Sequence, residues 1–567
     1  MKKIVSVAVA VAVSCLTCVF QTAGIDTEII IISNHLNYKL YDDYTAEVTF
    51  AGTPLPELTI EYILAWGPGV VYSVIGVADN AFSGGEVEKL TLEEGLQRIG
   101  YRAFASSCIK ETVTIPKSVT SIRDEAFGWC KRLPSVVFKG GTLSIGTLAF
   151  VSCSALYSFE IEGGDISIGK YAFSSCHILD HVKLGSSKSD NIRIGERAFG
   201  DCDKLATVDL SGVTGIGNGA FLGCRELNGV YIPNTVKDWG KAPFEGCGRL
   251  RSVWIEEGVT RIENEVFRDI PGIVEINLPE SLTSIGANAF ADCHSLAFVE
   301  IPENVTSIEA NAFANCSALS SIVIRGNVKD WGKDVFKGCE SLRHVTIEEG
   351  VTSIGDGAFR DLPALKEINF PDSGLTSIGA NAFAGCDSLE SVKVPGSIKE
   401  WGKGVFQGCT SLESVTFEEG VTSLGADLFC GCSSLASIRI PGSIKSIEDR
   451  IFTGCTKLQD IYLDWANPFV GTVKSHSFDG VAASGRVLVP KGSKYGWIGD
   501  GERSDVTIGG LPVVYDYYTV SAVANDPATG SVTGGSESYK EIDCDSTETR
   551  TARPSYGYHF VKWTNAR

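Results

Sequence analysis

Residues 376–398 read "TSIGANAFAGCDSLESVKVPGSI" and carry no charged triad, no metal-ligand spacing and no phosphate loop. Nearly the same words occur as "TSIGANAFADCHSLAFVEIPENV" at 283–305 and "TSIEANAFANCSALSSIVIRGNV" at 306–328. Aligned on the "AF" step, phenylalanines stand at seventeen repeat positions from Phe82 to Phe452, mostly 22 to 24 residues apart. A fixed apolar pattern with a period of about 20–29 residues marks a solenoid of the leucine-rich class. One coil cannot bury its apolar face alone, whereas stacked coils share a continuous core.

Each word of the repeat then has a physical task. In "LESVKVP", Leu389, Val392 and Val394 give the in-and-out alternation of a strand with one buried face. Pro395 ends the ladder because it has no N–H to donate. "SIG" at 377–379 predicts a second, shorter extended segment with Ile378 inward. "ANAFAGC" at 380–386 predicts a short helical turn or tight loop that seats Phe383 and Cys386 in the interior.

The consensus "LxxVxIPxxVTSIGxxAFxxC" resembles the BspA-like (Treponema-type) leucine-rich repeat of bacterial surface proteins, over roughly residues 60–465. Departures are local. "SSKSDN" at 186–191 lengthens one coil to 26 residues, and Ile270 and Leu362 replace the cysteine in two coils. The fold expected is a β-rich leucine-rich-repeat solenoid of short strands plus helical turns, in about seventeen 22–26-residue coils over 81–465. At strand spacing that stack is roughly 80 Å long. The resemblance implies a non-enzymatic adhesin that binds matrix or host proteins.

The ends differ from the middle. Lys2 and Lys3 precede the apolar run 4–20, and "TAG" at 22–24 offers a cleavage site, so 1–24 reads as a signal peptide. "AVSC" at 12–15 is the weaker alternative, a lipoprotein site with Cys15 lipidated. The mature chain has no stretch long enough for a transmembrane helix. Residues 25–80 read as an N-terminal β cap with the first coil, and 466–512 as a C-terminal cap containing "GRVLVPKGSKYGWIG". From 518 to 567 a different module, with "YTVSAVANDPATGSVTGG" and "GYHFVKW", resembles a partial internalin-type B-repeat, which implies a small β-grasp-like fold. Another strand or two is expected beyond Trp563, so the sequence reads as the targeting or structural part of a larger surface protein or extracellular enzyme in the alternative reading.

Composition narrows the partners. A net charge of −20 opposes nucleic acid, which needs a basic footprint, and opposes docking on anionic membranes. Eighteen cysteines would suggest disulfides in an exported protein, yet fourteen, from Cys108 to Cys455, are read as occupying one repeat position. Equivalent side chains one coil apart stand at about 4.7–4.9 Å, beyond the reach of a disulfide's Cβ atoms. The cysteines, among them Cys293, Cys316, Cys339, Cys386, Cys409 and Cys432, therefore read as a buried ladder of structural thiols. Cys430 and Cys544 fall outside it. Trp239, Trp331 and Trp401, in "KDWGK" and "KEWGK", align with the inward Ile of "SIG" and read as enlarged core residues.

No catalytic, cofactor-binding or metal-binding constellation stands out. His177 and His181 in "CHILDH" have HxxxH spacing, but the segment runs from turn into strand, so they share no helix face. The recurring "EEG" turns either collect cations or, as the favoured reading, hold solvated carboxylates. What remains is surface. The outward residue of each longer strand forms a stripe from Thr114 to Tyr462, mostly small or polar, in which Tyr231 and Trp254 are neighbours and Asn277 follows. Exposed adjacent aromatics are enriched at contact hot spots. The sequence thus predicts a monomeric, secreted or cell-surface recognition protein with this face as its binding surface, for an extracellular protein or glycan.

Overall fold

The computed structural model describes residues 29–33, 36–41, 43–51, 56–66, 70–185, 187–326, 328–464, 472–474, 476–490, 507–508, 511–519 and 538–539. The leader, Cys15 and Cys544 lie outside the described residues, as does nearly all of the 518–567 module.

Each coil contributes a longer strand and a shorter one, and both stack in parallel on their equivalents in the next coil. Ser121–Ile122 pairs with Ser144–Ile145, and Ser135–Phe138 pairs with Ser158–Ile161, one coil on. Inward residues form one continuous core, from the N-terminal strands to Val489. The shorter-strand sheet begins in the antiparallel strands Ile29–Ser33, Leu36–Leu40 and Thr45–Ala51 and runs on into the coils. The N-terminal strands thus cover the first coil through the same ladder that builds the rest.

The "ANAFAGC" segment departs from expectation: among the described residues there is no α-helix. In the coil 286–293, Asn288 and Asp292 have φ of 53° and 65°, left-handed values that interrupt a helix every fourth residue. Alternate amides close successive turns, with Ala291 N bonding Asn288 O at 3.2 Å and Cys293 N bonding Phe290 O at 3.4 Å. The amides between them reach the next coil instead, Phe290 N to Ala312 O at 2.8 Å and Asp292 N to Ala314 O at 2.8 Å. This third side of each coil is therefore also stitched to its neighbour, which a helical turn with its own i→i−4 bonds would prevent.

The phenylalanines of this side stack without a break from Phe82 to Phe478, eighteen rings with centroids 5.0–6.0 Å apart and planes within 14°. Phe478 adds a ring beyond the seventeen read from the sequence. The period is hidden there by a 26-residue step and by Val481 in the cysteine position.

Beside the rings run the thiols. The ladder holds thirteen cysteines, not fourteen: Cys108 stands four residues after its phenylalanine rather than three and is half-buried, and Ser107 fills the place, its hydroxyl donating to Phe82 O at 3.0 Å. Every ladder cysteine from Cys130 to Cys455 is buried, and each donates its S–H to the phenylalanine carbonyl of the preceding coil, at 3.0–3.3 Å. Burial pushes the thiols of Cys176 and Cys293 up to about 12, so they stay protonated and no thiolate is available for metals or nucleophilic attack. The cysteine is thus a small apolar group with one weak donor aimed at a buried acceptor. At Ile270 and Leu362 the facing carbonyls, Phe244 O and Phe336 O, still accept Cys247 N and Cys339 N at 3.1 Å, which explains why the position tolerates an alkyl group.

The tryptophans depart from a purely inward position. Trp239, Trp331 and Trp401 are half-buried at the margin of the core, and the shorter-strand sheet ends at each of them. Trp239 and Trp331 set their ring edges on Phe267 and Phe359. The Trp331 indole N–H donates to Ser353 O in the following coil at 2.9 Å, replacing the missing ladder contact. A Cβ on Gly355 would lie 2.1 Å from Trp331 Cβ, so the coil after the indole needs glycine there.

Candidate functional site

Register places the outward stripe as the alternation predicts. Tyr231 faces Trp254 on the adjoining strand, and Trp254 faces Asn277 on the next. Their chain neighbours Val230, Ile232, Val253 and Ile255 are buried, so sheet alternation turns the aromatic residues out. Each aromatic is 50% exposed, so half of each stays open to water. Asn277 is exposed beside them.

Two features separated in the sequence meet here. The inserted residues of the 26-residue coil form a tight turn, with Ser187 N donating to the Asp190 carboxylate at 3.0 Å and Asp190 also accepting Gly164 N at 3.0 Å. From that turn Lys188 reaches the carboxylate of Glu256, 68 residues later. Glu256 also accepts Asn234 N at 2.9 Å and lies beside the Tyr231 hydroxyl. The Asn234 amide, then Lys188, hold Glu256 below the usual carboxylate range, so it is ionised. Partial burial, then the Glu256 carboxylate, push the Tyr231 phenol up, so it stays a neutral donor. One end of the aromatic pair is thereby clamped by a lysine, a glutamate and an asparagine backbone drawn from three coils.

Lys188 was not legible as a site residue. The signals were the length of its coil and the "EEG" turn that receives it, but no local rule joins residues 68 apart. Phe298, exposed at 46%, was also missed; it lies on the same outward side two residues before Glu300. The "EEG" turns have a structural task of their own. Glu257 accepts Glu280 N at 2.9 Å and Ser281 N at 3.2 Å, and Glu94 accepts Ser118 N at 3.2 Å, so the second glutamate caps the next coil's turn.

The histidines stay apart in role. His177 bonds the Asp203 carboxylate at 2.9 Å, whereas His181 faces Glu160 at 3.7 Å. Among the described residues no group of three or more His, Cys, Asp or Glu could hold a metal ion, and no helix is long and apolar enough to cross a membrane. Cys430, outside the ladder, is half-buried, and burial, then Asp427, raise its thiol.

The repeat itself decides the family. The pattern described as "BspA type Leucine rich repeat region (6 copies)" matches residues 75–190, 166–297, 260–387 and 376–491, together most of the chain. The chain belongs to the BspA type leucine rich repeat family. Solved structures similar to this BspA type chain include a leucine-rich repeat protein from Bacteroides ovatus, 23% identical over 76% of this chain and 94% of that one, with a TM-score of 0.43. A leucine rich cell surface protein from Faecalibacterium prausnitzii is 23% identical over 79% and 99%, with a TM-score of 0.26. The pneumococcal vaccine antigen PcpA is 19% identical over 82% and 94%, with a TM-score of 0.28. No curated protein sequence matches the chain.

Proposed function

We propose that this BspA type protein is a non-catalytic recognition scaffold that acts outside the cell and presents the outer face of its longer strands to a partner. The observation that carries the reading is the Tyr231–Trp254 pair, in register and half-exposed, at the point where the inserted turn is anchored by Lys188. Large aromatics left in water beside polar anchors have the composition of a contact hot spot. The inward cysteines, by contrast, are protonated donors consumed in packing. The charged leader at 1–24 supports export.

The test is capture of a panel of matrix proteins and glycans by the full chain and by the Tyr231→Ala, Trp254→Ala double variant, with melting temperature recorded for both. The reading expects capture to fall at least tenfold, about 1.4 kcal/mol, with melting unchanged. Unchanged capture would move recognition to another face.

A further inference from the structure

The outward face from Tyr231 to Phe298 carries a second property besides its aromatics, which is charge without counterions. We infer that this face docks an extended, basic segment of a partner protein, its Lys or Arg side chains lying over the Trp254 and Tyr231 rings. The inference deepens the recognition reading above and rests on it.

Glu275 pairs in register with Ser252, which puts it on the same side of the sheet as Trp254 and between Trp254 and Phe298 along the stack. It is exposed, and among the described residues no Lys, Arg or His lies within ion-pair distance of it. Glu257, exposed at the strand end beside Trp254, likewise has no cation partner and holds only the amides of Glu280 and Ser281. Of the cations nearby, Lys188 is engaged on Glu256 and Arg325 on Glu280 and Glu300, while the exposed Arg251, one residue before Ser252, is within ion-pair distance of neither Glu275 nor Glu257. The aromatic faces are thus bordered by uncompensated carboxylates, in a chain whose net charge is −20.

That combination selects a cation. Ammonium and guanidinium groups are attracted to the face of Trp and Tyr within about 6 Å of the ring, and a carboxylate at the ring's edge adds a charge-assisted hydrogen bond. An acidic segment would meet only repulsion, and an apolar one would strand ionised carboxylates without water. Four coils span about 15 Å at strand spacing, the length of four or five extended residues, so two basic side chains of one extended segment can reach Trp254 and Glu275 together. The acidic surface also speeds the encounter of a basic partner, an effect that salt screens.

The experiment uses the full chain and fluorescence anisotropy of a labelled alternating Arg–Ser peptide, with the alternating Glu–Ser peptide and a neutral β-glucan oligosaccharide in parallel. The Arg–Ser peptide binds, the Glu–Ser peptide does not, and binding weakens steeply as salt rises to about 0.5 M. Trp254→Ala weakens it about 30-fold, and Glu275→Lys, which reverses the charge at an exposed position, abolishes it without lowering the melting temperature. Equal binding of both peptides, or Arg–Ser binding indifferent to Trp254→Ala and Glu275→Lys, overturns the inference. Trp254-dependent binding of the oligosaccharide or of the Glu–Ser peptide alone overturns the ligand class and leaves the face as the recognition surface. If no probe and no member of the capture panel depends on Trp254, both readings fall.

Discussion

Cys316→Ala isolates what the thiol ladder contributes. Cys316 is fully buried between coils, and its S–H donates to Phe290 O at 3.2 Å. Alanine removes one buried heavy atom, about 0.8 kcal/mol of transfer energy on the scale of a methylene. The small void adds about 0.5–1 kcal/mol, because stacked coils relax only partly. The lost donor adds little, since Phe290 O keeps its bond from Cys293 N at 3.4 Å. The expected loss is about 1–2 kcal/mol. Urea unfolding followed by hydrogen exchange reads it, and the exchange data matter because long repeat arrays depart from two-state behaviour. Amides of coils 283–328 should lose protection first, with the array still folded and with reducing agent making no difference. Two results would contradict this packing role: a loss near zero, meaning that the thiol does not fill its place, or collapse of the fold with sensitivity to reductant in the parent, meaning that the cysteines are bridged.

Other outcomes follow from the same geometry. Phe313→Ala removes a ring stacked between Phe290 and Phe336 and should cost about 3–5 kcal/mol, against no more than about 1 kcal/mol for Lys188→Ala, whose ion pair is at the surface; thermal and urea unfolding of the two variants checks the contrast. Trp331→Ala should destabilise by about 2–4 kcal/mol through the lost Phe359 contact and Ser353 bond, whereas the Tyr231→Ala, Trp254→Ala pair should not, because one indole is half in the core and the other rings face water. Stability should also fall at high pH in a defined window. Burial raises the folded thiols of Cys130, Cys176, Cys293 and Cys455 from 9.0 to about 12, so folding favours the protonated form. Their contribution is fully present below pH 9 and lost as pH rises from 9 to about 12, where the unfolded thiols ionise and the folded ones resist; urea midpoints measured across that range test it.

The coil was legible because its rules are local and repeat. A period-2 alternation set Tyr231, Trp254 and Asn277 outward and Val230 and Val253 inward, and the register agrees residue by residue. The cysteine ladder was legible from spacing, since a disulfide cannot bridge equivalent positions of neighbouring coils, except at Cys108, where one extra residue after Phe104 hands the place to Ser107. The helical turn was a misreading of available information. Asn, Asp or Gly stands at positions such as 288, 292, 381 and 385, all with positive φ, and such residues recurring every fourth position announce a chain of turns. The half-burial of Trp331 and the reach of Lys188 were not legible. The first depends on the room left by Gly355 in the following coil, and the second on two turns that only the stacking brings together.

In the recognition reading proposed above, the coils spend their reactive side chains on packing and leave recognition to the outer face. Thiol titration of the intact chain, before and after denaturation and without added reductant, tests this most directly. Native protein should label only a minority of its eighteen cysteines, the half-buried Cys108 and Cys430 among the first, and denaturation should release the ladder from Cys130 to Cys455 as free thiols. Full labelling of the native chain, or a denatured chain without free thiols, would contradict it.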